Sequence, residues 1–299
     1  MTEWAIETRG LGLRFGGKWA VHRLALQVPR GAVYGFLGLN GAGKSTTIRM
    51  LLGMLTPDDG WAKVLRMDPL THATEIKSRV GYVPDVPTFY EWMTIAELLA
   101  FVSSYRKASW DQARASELVD LFGLDRRQVL KGLSKGQRTR VSLLIAMAYH
   151  PELLILDEPT GGLDPVMRRT ILEDLLAQYM DAGRTIFISS HLINEISGLV
   201  DHVGIIKDSE LVRSEPVDAL LGRMRRVRLT FENDAPKAIA CEGLVGTKLR
   251  GREAVLTVDA FREKETLAEL ARFNPQGVAV EELSLEDAFV EIVSSGGQK

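Results

Sequence analysis

The stretch "GLNGAGKST", residues 38–46, constrains this chain more than any other, because it follows the apolar run "VYGFL" and precedes the helical pattern "TTIRMLLGML". Its spacing, G-x-x-x-x-G-K-[ST], in a strand–loop–helix setting is that of a phosphate-binding loop. Gly38, Gly41 and Gly43 let the backbone turn tightly, so that successive N–H groups and the helix N-terminus face a polyphosphate. Lys44 adds a point charge for the β and γ phosphates, and the Ser45 hydroxyl suits Mg²⁺. Asn40, Ala42 and Thr46 complete the loop residues expected around a nucleotide.

Such a loop presupposes an α/β core, and the rest of the chain supplies one. Short apolar runs bounded by turn residues read as strands: "VYGFLG" (33–38), "VGYV" (80–83), "LLILD" (153–157), "TIFISS" (185–190) and "HVGIIK" (202–207). Residues 94–150 read as helical, an insertion in the core. "PVMRRTILEDLLAQYMDAG" (165–183) reads as a helix with Pro165 at its first position, Gly183 at its end, and a stripe of Ile171, Leu172, Leu175, Leu176 and Tyr179. After about residue 218, "RVRLTF", "EAVLTV" and "GVAVEEL" read as strands, and "KETLAELARF" and "LEDAFVEIV" as helices of a small α+β domain. Ser284 and Asp287 are spaced as a capping box for the last of these.

Two further segments carry chemistry. "LLILDEP" (153–159) ends a buried strand in two acids. Asp157 suits Mg²⁺ through water, and Glu158 is placed to orient and deprotonate an attacking water. In "LSKGQRTRVSLLIAMAYHPE" (133–152), Ser134 caps a helix whose start offers a second anion site.

With these segments in order, residues 3–215 resemble the ATP-binding subunits of ABC transporters: the P-loop, an LS-x-GQ signature, "LLILDEP", "GGLDP" and "TIFISSH" follow in the family's sequence and spacing. The resemblance implies a P-loop NTPase core of ABC type, with an antiparallel β subdomain and a helical insertion at about 86–150, spanning 1–218. The small α+β domain then occupies 219–299. It also implies that Phe15 stacks on adenine, with Trp19 the second candidate. Ser134, Gly136 and Gln137 would touch the γ-phosphate of ATP held by a second protomer. Asp164 would lie across that dimer interface and His191 would contact the γ-phosphate, while His22, His72, His150 and His202 read as surface or packing residues. A dimer of such chains, identical or pseudo-symmetric, closes around two ATP molecules with Mg²⁺.

Two positions depart from the family pattern. Lys135 stands in the signature where glycine is usual, and Asp85 follows "GYVP" where glutamine is usual. A carboxylate about 6 Å from one unit of phosphate charge, at an effective dielectric of about 20, is repelled by roughly 3 kcal/mol. Asp85 is therefore expected either to ligate Mg²⁺, which is the reading adopted, or to turn away from the site until closure. Downstream of it, Phe89, Tyr90 and Trp92 are residue types enriched in interface cores. In the family a short helix of the membrane subunit docks in this region, Asp85 to Trp92.

The domain after residue 218 resembles that of ATPase subunits serving type-2 exporters, whose polytopic membrane subunit is a separate polypeptide. Nowhere does an apolar run approach the ~20 residues that span a bilayer, and "VSLLIAMA" (141–148) is the longest candidate. The expected location is the cytoplasm, peripheral on the inner face of the cell membrane. Cys241 is a single cysteine and fits a reducing compartment. Two rival classes remain at this point. A soluble ABC-type ATPase acting on nucleic acid or ribosomes would use the patch Arg223, Arg225, Arg226 and Arg228, although a net charge of -2 does not recruit nucleic acid and no such partner is expected. A regulatory module that binds ATP without turnover is opposed by Lys44, Asp157, Glu158 and His191.

Overall fold

The computed structural model describes residues 3–107, 109–161, 163–175, 179 and 183–294. They divide into two compact units, Met1–Ser214 and Glu215–Lys299.

In the first unit β1 (Trp4–Phe15) pairs antiparallel with β2 (Lys18–Leu24), β3 (Gln27–Pro29) and β5 (Asp59–Val64). The main sheet has the order β10-β9-β4-β8-β7-β6, built from β4 (Val33–Leu37), β6 (Val80–Val83), β7 (Leu153–Asp157), β8 (Thr185–Ser190), β9 (His202–Lys207) and β10 (Glu210–Pro216). β4 is parallel to β8 and β9, and β7 to β6 and β8. Every residue of β4, β7 and β8 is buried, which explains why these segments read as unbroken apolar runs rather than alternating ones. The five strands read from the sequence are β4, β6, β7, β8 and β9; β10 was not read.

The helical block is α3 (Ile95–Tyr105), α4 (Gln112–Leu121) and α5 (Lys135–Met147), each started by a side-chain cap: Thr94 with Glu97, Asp111, and Ser134 with Gln137. α1 (Lys44–Leu51) follows β4, and α2 (Ala73–Arg79) precedes β6. The expected helix at 165–183 begins as α6 (Pro165–Arg169) behind Asp164 and widens to a π-helical stretch, Thr170–Leu175. Ile171, Leu172 and Tyr179 are buried as expected, while the side chains of Leu175 and Leu176 lie outside the described residues. α7 (Ile193–Ile196) follows β8. Among the described residues no helix is long and apolar enough to cross a membrane.

The second unit starts with α8 (Val217–Arg223) and contains a sheet of order β12-β13-β11-β14: β11 (Arg225–Thr230), β12 (Leu244–Arg250), β13 (Glu253–Val258) and β14 (Gly277–Glu282). With α9 (Glu263–Ala271), it buries Val227, Leu229, Leu256, Val258 and Leu270 together. β12 is an exposed edge with a glycine inside it, so it lacks the periodicity by which a strand is read from sequence. α10 (Leu285–Ser294) buries Leu285, Phe289 and Ile292. Ser284 and Asp287 bond at its start as expected: the Asp287 N–H donates to Ser284 Oγ, and the Asp287 carboxylate accepts from Arg226 and from the Ser284 hydroxyl and backbone, which hold its carboxyl below the usual range.

The arginine patch is neutralised within this unit. Arg223 pairs with Glu215 and Asp259, Arg225 with Glu282, Arg226 with Asp287, and Arg228 with Glu253 and Glu281. Cross-strand pairing places Glu253, Glu281 and Glu282 beside the basic strand β11, and with Glu215, Asp259 and Asp287 the patch offers no excess charge to a phosphate backbone. The nucleic-acid reading loses its anchor.

Candidate functional site

Ligands of parallel sheets bind beyond the C-terminal strand ends, and the strand order brings the chemistry-bearing residues to that edge. The P-loop leaves β4, Asp157 and Glu158 end β7, and β8 lies between these strands with Ser189 in register with Asp157. Asp85 follows β6 on the far side of β7.

Two loop glycines are dictated by geometry. Gly43, at φ +109°, would place a Cβ 2.3 Å from the Ala20 carbonyl oxygen, and Gly38 would place one 2.7 Å from that of Ile206. The loop is thus pressed against neighbouring backbone, and its direction into α1 is fixed. Lys44, 6% exposed, donates to the carbonyls of Gly38 (2.7 Å) and Leu39 (3.3 Å) and lies 3.1 Å from Glu158 Oε1.

Glu158 stands between opposite partners. Its Oε2 lies 2.7 Å from His191 Nδ1 and also accepts the His191 backbone N–H at 3.3 Å. The Glu158 backbone sits at φ +49°, in the left-handed region that a non-glycine residue rarely occupies. That conformation is held by two bonds from its N–H, to the carbonyl and the hydroxyl of Ser189. The same hydroxyl donates to Asp157 Oδ1 at 2.6 Å. Ser189 therefore sets both acids, and sequence reading missed it. The available signal was a serine near the end of a fully buried strand, whose hydroxyl must find a partner.

Asp157 is 2% exposed. Burial pushes its carboxyl above the usual carboxylate range; hydrogen bonds from Ser189 and Ser45 pull it back, and the charges of Glu158 and Asp85 push it up again. A buried carboxylate beside a hydroxyl is a hard oxygen pair that fits Mg²⁺. Among the described residues no group of three or more His, Cys, Asp or Glu converges on a metal position, so phosphate oxygens and water would complete such a shell.

Asp85, expected to ligate Mg²⁺, has a counter-charge on its own chain: its carboxylate lies 3.7 Å from Lys135 Nζ. Phe15 is 53% exposed at the turn between β1 and β2, with its ring accessible to a base. Trp19 is packed, with the Arg14 guanidinium 3.8 Å from its ring centre and Gly12 beneath.

Ser134, Gly136, Gln137 and Asp164 make no described hydrogen bond or ion pair to the P-loop of their own chain. Ser134 and Gln137 form a complete capping box, and the Gln137 amide also donates to Gln128. Both side chains brace the helix start while keeping a hydroxyl hydrogen (Ser134) and a second amide hydrogen (Gln137) able to meet an anion beside Gly136. Asp164 caps α6 through the Met167 N–H, which holds its carboxyl below the ordinary range.

The aromatic loop divides. Phe89 is half-buried, while Tyr90 and Trp92 are 57% and 71% exposed. Their rings continue onto α3: Tyr90 packs edge-on to Phe101, and Phe101 to Tyr105. Phe101 and Tyr105 were not singled out in the sequence, where residues 94–150 read only as helical. The remaining histidines make local contacts: His22 to Glu210, His72 to Thr71, His150 to Asp111 and His202 to Asp201.

The family model described as ABC transporter matches residues 21–161. The daunorubicin/doxorubicin resistance ATP-binding protein DrrA of Streptomyces peucetius is 37% identical over 82% of this chain and 76% of its own length. The bacitracin transport ATP-binding protein BcrA of Bacillus licheniformis is 37% identical over 78% and 77%. BcrA of Enterococcus faecalis is 30% identical over 99% of this chain and 98% of that protein. Among solved structures, an ATP-binding subunit of an ABC transporter superposes with a TM-score of 0.66 at 25% identity, covering 72% of this chain and 90% of that one. A dimeric ATP-binding cassette in a post-hydrolysis state with ADP and Pi gives 0.64 at 20% identity, over 71% and 98%.

Proposed function

We propose a division of labour among these residues from one premise: the chain belongs to the ABC transporter family, as an ATP-binding and ATP-hydrolysing subunit of an exporter. The contact of Glu158 with Lys44 on one side and His191 on the other carries the reading. It puts a general base at the edge where the P-loop presents its backbone N–H groups and α1 its N-terminus.

Lys44 and the loop from Gly38 to Thr46 hold the phosphates, and Phe15 stacks on the base. Ser45 and Asp157 would hold Mg²⁺, which would neutralise charge on the β and γ phosphates. Glu158 takes the proton of the attacking water. His191 fixes the Glu158 carboxylate and faces the γ-phosphate. Ser134 and Gly136 of one protomer close on the ATP of the other, with Asp164 at the junction, so that closure excludes water and completes the site in one step.

The second element of the proposal is the partner. A polytopic membrane subunit, a separate polypeptide, docks on the strip formed by Val86, Tyr90, Trp92, Phe101 and Tyr105, at the cytoplasmic face of the membrane. The strip is exposed and aromatic, the composition of interface hot spots. Bacitracin, daunorubicin and doxorubicin are named for relatives, and cargo choice here is assigned to the membrane subunit. Purification of the tagged chain from detergent-solubilised membranes should recover that subunit. The double substitution Tyr90→Ala and Trp92→Ala should lower recovery by at least about tenfold with ATP affinity unchanged. Undiminished recovery, or ribosomes in place of a membrane protein, would contradict the docking assignment.

A further inference from the structure

Three carboxylates meet at the ends of neighbouring strands: Asp85 just past β6, then Asp157 and Glu158 at the end of β7, with Val83 in register beside Leu156. Glu158 has Lys44 and His191, and Asp157 has the hydroxyls of Ser189 and Ser45. For Asp85 the ion partner among the described residues is Lys135, at 3.7 Å.

Lys135 is the first residue of α5, where a cation opposes the helix dipole and gains nothing from the helix itself. Its position is explained by what its ammonium reaches. Nζ lies 3.0 Å from the point where a side chain on Gly161 would begin, against the turn that follows Glu158. The charge thus sits between the turn after β7 and the loop after β6, and the charge it faces is one felt at Asp157.

We propose that Lys135 is a positioning residue for ATP hydrolysis within its own protomer: it neutralises Asp85, so that the loop after β6 presents no net charge to the bound triphosphate. The pair also ties the first turn of α5, the turn assigned to the partner's nucleotide, to the strand ends that carry Asp157 and Glu158. The inference rests on the ATP reading above. It makes Asp85 and Lys135 one functional unit, in which Asp85 without Lys135 is worse than both or neither.

The test is steady-state hydrolysis by the purified full chain at fixed Mg²⁺ and low salt. Lys135→Ala should raise KM for ATP about fivefold, the size of one lost half-exposed charge pair, with kcat changed less than about twofold. Lys135→Arg should stay within about twofold of the parent, and adding Asp85→Asn to Lys135→Ala should restore KM to that range. The increase should shrink as salt rises, because both side chains are about half exposed. An unchanged KM in Lys135→Ala, or the same increase with Asp85 already replaced, overturns the proposal. Lys44→Ala is run alongside: undiminished ATP binding there would overturn the nucleotide reading itself, a different failure.

Discussion

Replacing Glu158 by glutamine is expected to lower ATP hydrolysis by at least about a hundredfold, the lower end of what a general base contributes, while ATP binding is retained. Glutamine keeps the size and one oxygen of the side chain, so the site is not opened. It loses the basicity that takes a proton from water. It also removes a negative charge 3.1 Å from Lys44 Nζ, which leaves that ammonium to the phosphates without a competing carboxylate. The affinity of the variant for ATP should therefore equal or exceed that of the parent. Turnover and nucleotide affinity measured on the same preparation separate the two effects. Equal turnover would mean that Glu158 is not the base.

Lys44→Ala is expected to have the opposite profile. The ammonium is buried, bonded to two loop carbonyls and paired with Glu158. With ATP bound this ammonium would pair with the phosphates, and truncating one partner of a buried charge pair across a binding surface costs about 3 kcal/mol or more, which corresponds to about a hundredfold or more in ATP affinity. Glu158 then meets the triphosphate without a neighbouring cation. The fold should persist, because Glu158 keeps His191 and its backbone keeps both bonds to Ser189. Equilibrium binding of a fluorescent ATP analogue, with a thermal melt as the control for folding, checks this. Binding within a few-fold of the parent would show that the phosphates lie elsewhere.

The strands that matter most were legible because they are buried on both faces: "LLILD" and "TIFISS" have no polar side to break the apolar run before its end. Single residues with a fixed chemical task, such as Lys44 and Glu158, could be assigned from their motifs. Which of them touch could not. Glu158 meets both Lys44 and His191 because β8 lies between β4 and β7, a fact of strand order rather than of spacing. The same limit applies to Asp85 and Lys135, two departures from a family pattern that read as separate oddities until the fold joins them. Ser189 was hidden by its strand. The arginines of β11 looked like a patch because their neutralising acids lie on other elements, at β13, β14 and the start of α10. β12 escaped notice because an exposed edge strand needs no apolar alternation to be held.

The central claim is that the site is completed between two chains, with Ser134 and Gly136 of each protomer closing on the other's ATP. Light scattering of Glu158→Gln, with ATP and without, tests it most directly. The mass should be near one chain, 33.1 kDa, without nucleotide and near two with ATP. The dimer should be lost when Ser134 is replaced by a bulky residue. A single-chain mass at saturating ATP would contradict it.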